Sequence, residues 1–310
     1  MRAHGLIWCA TFVVLDAAQA VLFGSFLQRM DSLLLGLLVF GMSSLACLAF
    51  VVWRSADEVR AALAAPRLLA QLNISTATGW LAYLGALQLI EPAVAFTIFS
   101  GIIPVTIVAA RVWGDGAGAR LHGWEARGLA ILVLGLVVLA VSTLAGFSGF
   151  VRGGGVVALV GLSLAAFSGV AMSWMLLVSF KLNRIGVSPA GVFAARFPLY
   201  LLLAVAGYLV GLDNKGPVAA DDMIVAVALG LVVLAFPIYA VQQAVALTSA
   251  LTVGAATALI PVVVLALQML EGRVAYSSAT AMGLAIYTVG AVIAAAGRAR
   301  TAASASAHAR

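Results

Sequence analysis

The chain has 310 residues, of which 64% are hydrophobic and 9% charged, and it carries a formal net charge of +6. A soluble domain holds roughly 25% charged residues, so the side chains needed to coat a water-soluble globule are missing and the natural solvent for most of the surface is lipid. Unpaired backbone groups are costly in hydrocarbon, which leaves helices or a closed barrel as spanning structures. Long apolar runs, rather than ten-residue alternating segments, select helices.

Ten runs lie near the ~20 residues that a membrane helix needs. In chain order they cover 6–27, 33–53, 69–89, 93–112 and 128–144, then 156–180, 190–212, 223–245, 250–270 and 279–296. The third is the least apolar, because Gln71, Asn73, Ser75, Thr76 and Thr78 crowd its first half. Near the start, Arg2, an apolar stretch and Ala18-Gln19-Ala20 imitate a signal peptide with its cleavage site. The apolar run continues to Leu27, past Asp16, so the reading is an uncleaved first helix. Residues 301–310, rich in Ala and Ser, are expected to form a disordered tail.

Basic residues sit in the links. With the N-terminus inside, twelve of the 17 Lys and Arg fall in inner segments; Arg29, Arg152, Lys215 and Arg273 fall outside, and Arg196 lies within a span. That bias places both termini in the cytoplasm and explains the net charge without nucleic acid. Cys9 and Cys47 lie in apolar runs and suggest neither a disulfide nor a metal site. His4, His122 and His308 lie outside the spans, so no pair of His ligands is expected.

The two halves match in order. Ile103-Pro104, a charged turn and Gly128-Leu129-Ala130-Ile131 with Gly135 are followed in the second half by Ile260-Pro261, a charged turn and Gly283-Leu284-Ala285-Ile286 with Gly290. Five spans per half is an odd number, so the second copy must enter the membrane in the opposite sense. The expected architecture is therefore all-α, ten transmembrane helices in two inverted five-helix repeats, residues 1–150 and 151–300. Transporters use such repeats around a central site.

These residues resemble the drug/metabolite transporter superfamily, in particular its EamA-like permeases. The most specific piece is an Ala-rich span with a mid-helix proline and an acidic exit, as in residues 250–271 with Pro261 and Leu270-Glu271-Gly272-Arg273. Residues 93–112 with Pro104 resemble the first copy, with Trp113-Gly114-Asp115 at the exit. Ser188-Pro189 leading to Arg196-Phe197 is similar to the family's second-helix pattern, and the first repeat has Val39-Phe40 in that place, without the arginine. The resemblance implies an inner-membrane carrier of small metabolites, often an exporter, with no cofactor.

Candidate substrate-binding residues follow from polar groups at membrane depth. Asp16 lies near the middle of span one, where an ionised carboxylate costs ~3 kcal/mol, so it should face a cavity or a partner; Gln19 shares its face. Span three carries a stripe of Asn73, Thr76, Trp80 and Tyr83, and span eight carries Tyr239, Gln242 and Gln243. Such faces suit amphipathic organic substrates, although interhelical hydrogen bonding would use the same residues. Pro104 and Pro261 are candidate kinks for gating. Arg196 either snorkels to the headgroups or balances a charge, that of an anionic substrate or of Asp16. Glu91-Pro92 falls in a very short link and reads as a solvated loop carboxylate, with a gate at the outer mouth as the alternative.

A secondary carrier working by alternating access is the leading functional reading. No P-loop is present for ATP-driven pumping. A membrane enzyme is the second class, though no G-x-S-x-G or H-E-x-x-H pattern occurs. A non-transporting subunit is the third, and it would favour a larger extramembrane domain. The expected partners are a small-molecule substrate and the bilayer, and a homodimer is left open.

Overall fold

Leu, Val and Ala dominate the runs between short polar links, and in lipid such runs have one way to satisfy their backbone, which is to close helical hydrogen bonds. The structure, a computed structural model, describes the backbone of residues 2–114, 123–247, 250–272 and 274–308. Side chains are described over the same residues except 2–3, 24, 56, 111–114, 234–235, 238–239, 241–243, 245–246, 250–255, 299 and 301–308.

Twelve helices are present among the described residues. The first half contains α1 (Arg2–Arg29), α2 (Ser32–Arg54), the short α3 (Ala56–Leu63), α4 (Pro66–Leu89), α5 (Pro92–Gly114) and α6 (Gly123–Leu144). The second contains α7 (Gly155–Arg184), α8 (Pro189–Ala195), α9 (Pro198–Leu209), α10 (Ala220–Leu247), α11 (Ala250–Glu271) and α12 (Ser278–His308). The backbone of α12 thus stays helical through His308, where the sequence suggested a disordered tail.

Among the described residues, seven segments are long and apolar enough to cross a membrane: His4–Arg29, Ser32–Arg54, Pro92–Ala110, Gly123–Leu144, Gly155–Arg184, Pro189–Leu209 and Ser278–Arg298. This is a multi-pass membrane protein. Helix α4 is long enough at 24 residues, but its polar first half dilutes the hydropathy. The outer surface suits lipid, with Trp53, Val156 and Leu270 exposed.

Local chemistry sets the helix ends. The Asp31 carboxylate accepts hydrogen bonds from the Leu33 and Leu34 amides, each 2.9 Å, and so caps α2. Proline opens α4, α8 and α9, where its missing N–H costs nothing. One expected span, residues 190–212, is broken. Helix α8 stops at Ala195, Arg196 and Phe197 form the joint, and α9 resumes at Pro198.

Packing is regular. Helix α1 lies along α10 and α11, while α7 lies along α4 and α5. Helix α2 meets α8 and α9, and α5 meets α11. Helices α6 and α12 run antiparallel in close contact along their lengths, because glycine lets their backbones touch. A Cβ on Gly128 would fall 2.2 Å from the Ala294 nitrogen, and one on Gly135 would fall 2.5 Å from that of Tyr287. In the other direction, a Cβ on Gly290 would fall 2.3 Å from the Leu132 nitrogen, and one on Gly283 would sit 2.7 Å from the Leu139 side chain.

Candidate functional site

A cavity of about 540 Å³ opens among these helices. That volume is in the range of pockets for small organic ligands. Helix α1 contributes Phe12, Asp16 and Gln19; α4 contributes Trp80 and Tyr83; α5 contributes Phe99, Ser100 and Pro104. Tyr287 and Arg298 come from α12, and Arg196 from the joint between α8 and α9.

The walls are largely aromatic. The Phe40 and Phe197 rings stack with centroids 4.6 Å apart and planes 15° from parallel, and Trp80 closes on Phe40 at 4.6 Å. Tyr83 packs on Phe99 at 4.7 Å and edges against Trp80 at 5.9 Å. The Ser100 and Tyr287 hydroxyls lie 3.4 Å apart in the cavity wall.

Polar capacity here is unused. Among the described residues, no hydrogen bond or ion pair reaches the Asp16 carboxylate. Buried Trp80 Nε1, the Tyr83 hydroxyl and Arg196 Nε also lack a partner. Most buried polar groups in proteins are paired, so a cluster of unpaired ones around a cavity is where a ligand would supply the missing bonds. Arg196 forms no ion pair with Asp16; its guanidinium lies 4.3 Å from the Phe193 ring centre and 4.7 Å from that of Phe197. Rings at that distance stabilise the charge in place of water.

The sequence-predicted residues divide. Asp16, Gln19, Trp80, Tyr83, Pro104 and Arg196 line the cavity. Asn73, Thr76 and Pro261 are not among its lining residues. The Thr76 hydroxyl is buried without a partner, and Asn73 is spent on the α8–α9 joint. Tyr239, Gln242 and Gln243 have side chains outside the described residues. Tyr287 and Phe40 are wall residues that sequence reasoning missed. Each sits in an apolar stretch and carries no polar periodicity to mark it.

The cavity's two ends differ. It runs past Met175, Ile103 and Ala295 to Arg298, whose Nε donates 3.0 Å to Glu125. At the opposite end, Glu91 closes the bundle. It is fully buried rather than solvated, which corrects the expectation for this link. Its Oε2 accepts from the Gly149 amide and from the Thr280 hydroxyl, each 2.8 Å, and its Oε1 accepts from the Gln268 carboxamide. The oxygen of Gln268 is held in turn by the Ala93 amide at 3.1 Å. Burial pushes the Glu91 carboxyl up from its ordinary value, and the three donated bonds pull it back. Beside it, Lys215 joins Asp213 and Gln88, and the Ser32 amide donates 2.8 Å to Asp213.

No family model and no curated protein matches the chain. Among solved structures, a crystal structure described only as that of a protein is similar over 95% of this chain and 97% of its own, with 21% identity and a TM-score of 0.61. At that identity the likeness concerns the fold alone.

Proposed function

We propose that the chain is a secondary transporter of the drug/metabolite superfamily, carrying small amphipathic organic molecules by alternating access, with export the favoured direction. The observation that carries the reading is the cavity itself: an aromatic chamber, with Asp16 unpaired among the described residues, that reaches one end of the bundle while buried Glu91 closes the other. A site reached from one side at a time is what alternating access requires.

The packing supports ten crossings in two inverted repeats, with α8 and α9 forming one broken crossing. If α1 corresponds to α7 and α4 to α10, the contact of α1 with α10 is the counterpart of that of α7 with α4. At the α6–α12 crossing, Gly128 against Ala294 has its counterpart in Gly283 against Leu139, and Gly135 against Tyr287 in Gly290 against Leu132. Phe40 and Phe197, equivalent in the two copies, stack on each other. Each pattern is that of an antiparallel two-fold. The charge bias reads as cytoplasmic termini in an inner membrane, so the cavity extends toward the cytoplasm in this state.

Flux in proteoliposomes tests the reading, with a panel of amphipathic amines, amino acids and nucleosides, with and without a proton gradient. The expected result is saturable flux that Asp16→Asn lowers or uncouples from pH. Absence of protein-dependent flux for every compound would overturn it.

A further inference from the structure

The break in the seventh expected span has a cause beyond proline. Pro198 lacks an N–H and so removes one helical bond, the one that Ala194 would have accepted. The next bond, from the Leu199 amide to the Ala195 carbonyl, could still form. It is replaced by a side chain from another helix. Asn73 of α4 donates 2.9 Å to the Ala195 carbonyl and accepts 3.1 Å from the Leu199 amide, and its remaining N–H donates 3.0 Å to Leu69 in its own helix. The carboxamide therefore stands between the two halves of one helical hydrogen bond, as inserted groups do at helix kinks. Arg196 and Phe197 are the residues inside the opened turn, with Phe197 at φ −100° and ψ −12°.

We propose that Asn73 is a positioning residue: it wedges the α8–α9 joint open and thereby presents the Arg196 guanidinium to the cavity. The first repeat supplies an internal comparison. There α2 runs unbroken through Val39, Phe40 and Gly41, with neither arginine nor proline at the equivalent place. The broken copy thus combines the arginine, the proline and the wedge, and the unbroken copy lacks the first two. Asn73 serves Arg196 through the backbone and does not itself line the cavity. The inference rests on the reading of this chamber as a transport site only for its purpose. The geometry of the joint is tested without any substrate.

The test is arginine modification by phenylglyoxal on the full chain in nanodiscs, read at Arg196 and at exposed Arg152 by peptide mass spectrometry. In Asn73→Leu the Leu199 amide can return to Ala195, and the turn closes. Modification at Arg196 should then slow about ten-fold, the population change that ~1.4 kcal/mol produces, while Arg152 is unaffected. Asn73→Asp retains the bond from Leu199 but cannot donate to Ala195, and should give a smaller fall in the same direction. This milder variant carries the test if Asn73→Leu fails to fold. An unchanged or faster rate at Arg196 in a folded variant, or an equal fall at both arginines, overturns the proposal. Failure of the transport reading would show elsewhere, as absence of protein-dependent flux in proteoliposomes while the labelling result stands.

Discussion

Replacing Glu91 by alanine should loosen the closed end of the bundle by an amount that can be worked from its partners. The substitution leaves three donors without an acceptor: the Gly149 amide, the Thr280 hydroxyl and the Gln268 carboxamide. Thr280 and Gln268 are fully buried, so water does not readily replace the lost bonds. A buried donor left unpaired costs ~1–3 kcal/mol. Removing the carboxylate also relieves its own desolvation, which favours the low end of that range, so the expected loss is about 3 kcal/mol for the three together. Glu91→Gln keeps the shape and one acceptor but turns an NH2 group toward a donor in place of the other oxygen, and should cost about half as much. Reversible unfolding in mixed micelles of rising SDS content, followed by far-ultraviolet circular dichroism, measures both. If Glu91→Ala lies within ~0.5 kcal/mol of the parent, the size of an ordinary surface change, the account of Glu91 as a buried junction is wrong.

Other expectations can be checked on the same preparations. Gly290→Ala places a Cβ 2.3 Å from the Leu132 backbone, an overpacking that costs ~1–3 kcal/mol or more; it should shift the unfolding midpoint, whereas Gly123→Ala, with nothing within 4 Å, should not destabilise. Hydrogen bonds from the Ser188 side chain and amide hold the Glu58 carboxyl below its ordinary value of 4.5. Its tether between α3 and α8 is therefore present above that pH and lost as pH falls through the depressed value; Glu58→Gln should flatten the acid limb of a thermal-melt profile. Lys215→Met removes the cation shared by Asp213 and Gln88, and should cost ~1–2 kcal/mol and speed proteolysis of the α9–α10 link.

Hydropathy made most of the fold legible, since the cost of bare backbone in lipid turns every long apolar run into a helix. It faltered at α4, where Gln71, Asn73 and Ser75 displace apolar side chains. That same polarity marked a helix that lines the cavity with Trp80 and Tyr83, while Asn73 on the same stripe lies outside the lining and bonds the α8–α9 joint. Spacing along one helix reports which face a residue shares and cannot report that its amide meets a break in another helix, more than a hundred residues away. Glu91 misled for a related reason. A short link with a carboxylate looks solvated in sequence, and its three partners come from loops and helices far along the chain. Arg196-Phe197-Pro198 held the one signal of the joint, its proline, because the wedge that completes the break lies in α4.

The α6–α12 crossing determines where substitutions should be least tolerated. Gly128, Gly135, Gly283 and Gly290 face backbone or close-packed side-chain atoms at distances that no side chain fits, whereas the cavity residues border open space that alternative side chains can enter. A saturation scan for folded, inserted protein should therefore register strong intolerance at these four positions, none of which carries a functional group. Folded variants recovered from such a scan would keep the glycines and vary the residues that line the cavity. Intolerance to substitution would then trace the α6–α12 seam, while the tolerant positions would outline the cavity.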